Sequence, residues 1–153
     1  MAPPQKFSRG IAALVGILTA EEIAFLLAGL RSDSLRLEQR CTAWYGGMFP
    51  GSMSINAFNS AIDHTPAMAG CLLGYIAWHR FSPKRPTIAQ VHDTYGEIRI
   101  KLDAALGTKG GSFWITDHWD SLSREDAIHD AITTIEEEIA KQANRSGSDP
   151  ALG

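Results

Sequence analysis

Thr65-Pro-Ala-Met-Ala-Gly-Cys-Leu-Leu-Gly-Tyr-Ile-Ala-Trp-His-Arg-Phe81 is the stretch on which the fold turns. Between Pro66 and Trp78 it has no charged and no strongly polar side chain. Thr65 suits a helix N-cap, and Pro66 suits the first helical position, where its missing N–H costs nothing. The pattern predicts a helix over 66–81. A helix that is apolar on every side must be enclosed on every side. At roughly 15 residues it falls short of the about 20 needed to span a bilayer. Gly70, Gly74 and Ala77 recur at i, i+4 and i+7, which leaves one face as almost bare backbone that a neighbour can approach closely. The expected fold is all-α, a single-domain bundle of five to seven helices around this central apolar helix.

The segments on either side fit that frame. Ile11, Leu14, Val15 and Leu18 follow helical spacing after a loose lead-in over residues 1–8. Thr19 and Glu22 form a capping-box pattern ahead of the stripe Ile23, Leu26, Leu27, Leu30, and residues 9–31 read as one bent helix or two. Ser32-Asp33-Ser34 marks a turn, and a further helix is expected from about Leu35 to Tyr45. Ile55, Phe58 and Ile62 then repeat at helical spacing behind Ser52 or Ser54. Thr87 opens the clearest amphipathic helix, with the seam Ile88, Val91, Tyr95, Ile98, Leu102, Ala105, and Gly107 closes it. Residues 107–120 read as the longest irregular stretch. A last helix begins at Ser123 with the stripe Ile128, Ala131, Ile132, Ile135, Ile139. Residues 1–144 form the expected domain, and 145–153 a flexible tail with nothing to bury.

Composition narrows the function classes. The 153 residues carry a formal net charge of -3, with 44% apolar and 20% charged residues. That balance suits a globular domain and offers no global positive field, so nucleic acid is not the expected partner. Lys6 and Arg9 ahead of Ile11–Leu18 outline a secretory signal, but Leu18 stands where cleavage after Ala20 wants a small residue. Extending the run to Leu30 as a membrane span would bury Glu21 and Glu22. A cytoplasmic protein with no membrane segment is expected, with Cys41 and Cys71 as buried free thiols; a disulfide is the other option.

Four of the five histidines adjoin an aspartate: Asp63-His64, His92-Asp93, Asp117-His118 and His129-Asp130. Neighbours on a helix point about 100° apart, so no such pair chelates alone and a site needs ligands from different helices. His92, Asp93, Asp117 and His118 are the candidate set for a divalent metal ion in a metal-dependent hydrolase or metal-binding protein. The chain has no His-Glu-x-x-His, Glu-x-x-His or paired Cys-x-x-Cys spacing. The basic group His79-Arg80 with Lys84-Arg85 reads as solvated loop charge.

The leading expectation lies elsewhere. Two aromatic connectors fall outside the core stripes, and loops that carry Trp beside ionisable groups favour binding. The candidate binding residues are Trp114, Asp117, His118, Trp119 and Asp120, with Trp44 and Tyr45 from the other connector. With no catalytic motif, the expected function is the binding of a partner protein as a regulator, inhibitor or adaptor, without a cofactor, together with self-association.

Overall fold

A computed structural model describes residues 3–42 and 53–147. Among them the chain forms seven helices and no named strand: α1 (Gln5–Ile17), α2 (Ala20–Arg31), α3 (Ile55–His64), α4 (Leu72–His79), α5 (Ile88–Leu106), α6 (Phe113–Ser121) and α7 (Arg124–Gly147). The fold is all-α, and none of these helices is long and apolar enough to cross a membrane. α4 packs against α2 and α5, while α1 packs against α5, α6 and α7, so the two share the centre of the bundle. The core is continuous from Phe7, Ile11 and Leu14 through Leu72, Leu73 and Ile76 to Ile98, Leu102 and Ile115.

Local chemistry sets most helix ends. Residues 9–31 are two helices: the Thr19 hydroxyl accepts the Glu22 N–H while the Glu22 carboxylate accepts the Thr19 N–H, both at 3.1 Å. Thr87 and Gln90 repeat the reciprocal cap at α5. Gly107 ends α5 at φ 70, a backbone angle that favours glycine. The Ser123 hydroxyl accepts the Asp126 N–H at the start of α7. α7 continues through Gly147, past Asn144, where its apolar pattern has already ended.

Four expectations need correction. The apolar stretch is enclosed, with every residue from Leu72 to Ala77 buried, but it is helical only over α4. Thr65 closes α3, donating its hydroxyl to the Ala61 carbonyl, rather than opening a helix. Residues 66–71 are spoken for by other backbone: Ala67 N–H donates to Pro86 O, Gly70 N–H to Arg36 O and Cys71 N–H to Cys41 O. Residues 35–42 likewise form no helix. Leu37 bridges Gly70 in parallel register, and Arg40 sits at φ 63. Arg124 holds this strap through Asp33 Oδ1, Ser34 O and Leu37 O at 2.7–2.8 Å. The lead-in is ordered from Gln5, because Phe7 extends the α1 stripe and is buried. The stretch 107–120 contains α6, described below.

Glu22 gives the fold a pH signature. Burial pushes its carboxyl up, but the Arg80 guanidinium at 2.7 Å and the Thr19 N–H outweigh that and hold it below the usual range. A carboxyl depressed in the folded state stabilises fully above its unfolded value, and that stabilisation is lost as pH falls through the folded value. Urea unfolding followed from pH 7 to pH 3 will therefore show stability falling through the acid range, with a shallower fall in Glu22→Gln. Equal slopes in the two proteins would contradict the assignment.

Candidate functional site

α6 is the element that collects the chemistry, and long-range bonds build its start. Asp103 on α5 accepts the Gly110 N–H through Oδ2 and the Ser112 N–H through Oδ1, at 3.1 and 3.0 Å. Arg99 Nε donates to the Ser112 hydroxyl at 3.1 Å. Ile115, Thr116 and Trp119 turn inward as the buried face of α6. The opposite face carries Phe113, Trp114, Asp117 and His118 toward the start of α1.

Here an open hollow of about 550 Å³ is lined by Pro4, Lys6, Phe7, Phe113, Trp114, Asp117 and His118, among others. Lys6 Nζ lies 5.7 Å and Arg9 Cζ 5.0 Å from the Trp114 ring centroid, within cation–π range. Arg99 stands over the exposed Phe113 ring at 5.1 Å. Among the described residues, neither Lys6 nor Arg9 has a carboxylate within ion-pair distance, and both are exposed. Asp117 is the one carboxylate lining the hollow.

His118 forms the boundary of a second hollow, of about 470 Å³, which also has Pro3, Leu122, Asp126, His129 and Asp130 in its walls. His118 Nε2 lies 2.8 Å from Asp130 Oδ2, with both side chains mostly buried, and the imidazole packs on Phe7 at 4.4 Å between centroids. The partner aspartate is thus on α7, and is neither of the sequence neighbours of His118. His–Asp adjacency in sequence therefore pointed to the residue types, and the pairing is made between two helices. Asp130 could not be singled out, because only the α6–α7 packing brings it there.

The other candidate residues separate. Trp119 is 1% exposed and its indole Nε1 donates to the Glu38 carbonyl at 3.0 Å, so it braces the strap and offers no docking surface. Asp120 accepts the Arg40 N–H at 2.8 Å and fixes the same strap. Trp44 and Tyr45 lie outside the described residues. His92 and Asp93 are exposed on α5, and among the described residues no three His, Cys, Asp or Glu side chains group as metal ligands. Arg80, read from sequence as solvated loop charge, is instead the partner of Glu22, and His79 stacks on Phe25 at 3.8 Å. Sequence reading missed Lys6, Arg9 and Arg99. Their only early signal was the placement of two cations on the exposed side of the α1 stripe.

No protein-family model, curated protein or solved structure matches the chain.

Proposed function

We propose that this protein acts by binding an acidic segment of another protein at the α1–α6 hollow, in a regulatory or adaptor role. The observation that supports this is Trp114 held beneath two exposed cations, Lys6 and Arg9, that have no carboxylate partner among the described residues. An aromatic ring beside unpaired cations offers apolar area and charge together, the combination found at interface anchors. The excess of cations over Asp117 favours a segment rich in Asp and Glu with apolar residues between them. The cytoplasm is the setting this role implies.

The test is calorimetric titration with a synthetic peptide of Asp, Glu and Leu, at low and physiological salt. Binding is expected to weaken with salt and to fall at least tenfold in the Lys6→Glu, Arg9→Glu double variant, because rim charges set association and its salt dependence. Trp114→Ala is expected to abolish it with little loss of stability. Absence of binding, or binding indifferent to all three changes, removes the proposal. Self-association belongs to the same reading: α3 buries no residue and shows Ile55 to solvent, and light scattering over a concentration series decides it.

A second reading, hydrolytic or metal-dependent chemistry, is favoured by the 2.8 Å His118–Asp130 contact, since a carboxylate-oriented imidazole is the usual general base or metal ligand. Elemental analysis of untagged protein, with thermal shifts on adding zinc or manganese, separates it from the first.

A further inference from the structure

Cys41 and Cys71 lie far apart in sequence and adjacent in space. The Cys71 N–H donates to the Cys41 carbonyl at 2.9 Å, and both residues line one cavity of about 230 Å³. This hydrogen bond holds the two main chains in direct contact, and a disulfide spans Cα separations of about 4.4 to 6.8 Å. The position matters as much as the distance. Leu37 bridges Gly70 just before the pair, so the two cysteines lie where the segment between them begins and ends against the same backbone. Between them lies α3, which has no buried residue. The two thiols therefore stand together at the base of the segment that carries α3.

We propose that Cys41 and Cys71 are an oxidative modification site, forming an intrachain disulfide with a small-molecule disulfide as oxidant and fastening the α3 excursion at its base. Cys41, the more exposed of the two, reacts first: its thiolate attacks one sulfur of the oxidant and expels a small thiolate. The Cys71 sulfur then attacks Cys41 and expels the second. One S–S bond breaks and one forms, the two protein thiols are oxidised, and their protons end on the two small thiols. Burial sets the rate. It pushes Cys41 up to about 12, with the neighbouring Cys71, Glu38 and Asp120 adding to the effect. Burial also raises Cys71 to about 11, even though the Gly74 and Leu73 amides favour its thiolate. The pair is therefore slow at neutral pH and accelerates about tenfold per pH unit above it.

The experiment treats the full chain, native and in urea, with oxidised glutathione between pH 7 and pH 10. Free thiols, intact mass and cross-linked peptides are measured after acid quench. The expected result is loss of both thiols without retained glutathione, a peptide joining Cys41 to Cys71, and no intermolecular dimer. The native chain is expected to favour the linked form at least tenfold over the chain in urea, and its thermal midpoint to rise by roughly 10 °C on linkage. Cys41→Ser should leave Cys71 unreacted in the native state. Reaction that stops at a glutathione adduct, links separate chains, is favoured only in urea, or leaves the midpoint unchanged or lowered overturns the proposal.

Discussion

Gly74→Ala is expected to lower stability by about 3 kcal/mol or more, at the upper end of the cost of overpacking. A Cβ at this position would lie 2.0 Å from the Thr42 carbonyl oxygen and 3.1 Å from the carbonyl carbon. Real Cβ atoms do not come that close, and the obstacle is main chain, which cannot swing aside as a side-chain tip can. Gly70 faces the same oxygen at 2.3 Å. To admit a methyl group, the strap must lift away from α4, which disturbs the Gly70–Leu37 bridge and the Cys71–Cys41 hydrogen bond together. For a domain of this size the thermal midpoint should drop by about 6 °C or more. Gly16→Ala is the matched control. A Cβ there meets nothing within 4 Å, and the exchange in α1 should stabilise by about 0.5 to 1 kcal/mol through helix propensity. If both variants melt with the wild type, the strap does not lie on the glycine face.

The second large effect is expected at Trp119→Ala, about 3 to 5 kcal/mol, the usual range for emptying a buried aromatic site. Trp119 is among the largest fully buried side chains, and its indole N–H satisfies the Glu38 carbonyl. The Gln39 amide also donates to the Trp119 and Leu122 carbonyls, at 2.7 and 2.8 Å, so the strap and the end of α6 are tied at several points. Trp119→Phe keeps most of the volume and strands the carbonyl, and should cost about 1 to 2 kcal/mol. Chemical denaturation of both, beside Trp114→Ala, distinguishes the two tryptophans. Trp114, partly exposed under its cations, should change stability by less than about 1 kcal/mol. Equal losses at positions 114 and 119 would mean that Trp114 is also structural, and would weaken the docking proposal.

What could be read ahead of the structure depended on the range of the interaction involved. The capping box at Thr19, the cap at Thr87 and the left-handed stop at Gly107 act within three or four residues, so they were visible in the letters. The bare face of Gly70 and Gly74 was legible too, but not the identity of its neighbour: the close approach is made by the carbonyl of Thr42, in a strap with no helical content. α6 was missed because its first turn is held by Asp103, across a chain reversal that no local pattern encodes. Trp119 and Trp114 share one sequence context, and nothing in it says which ring turns inward.

The sequence by itself determined the all-α class, the cap at Thr19, the bounds of α5 and the start of α7, because side-chain periodicity and caps are local free energies; that Thr19 divides two helices rather than bending one was settled by the structure. Only the tertiary structure decided that residues 66–71 pair with other backbone instead of coiling, that His118 faces Asp130, and that Lys6 and Arg9 come to lie over Trp114. The physical reason is common to all three. Hydrogen bonds and ring contacts between distant segments are set by how the core packs, and a single chain of letters carries the periodicity of each helix but not the rotation of one helix against another.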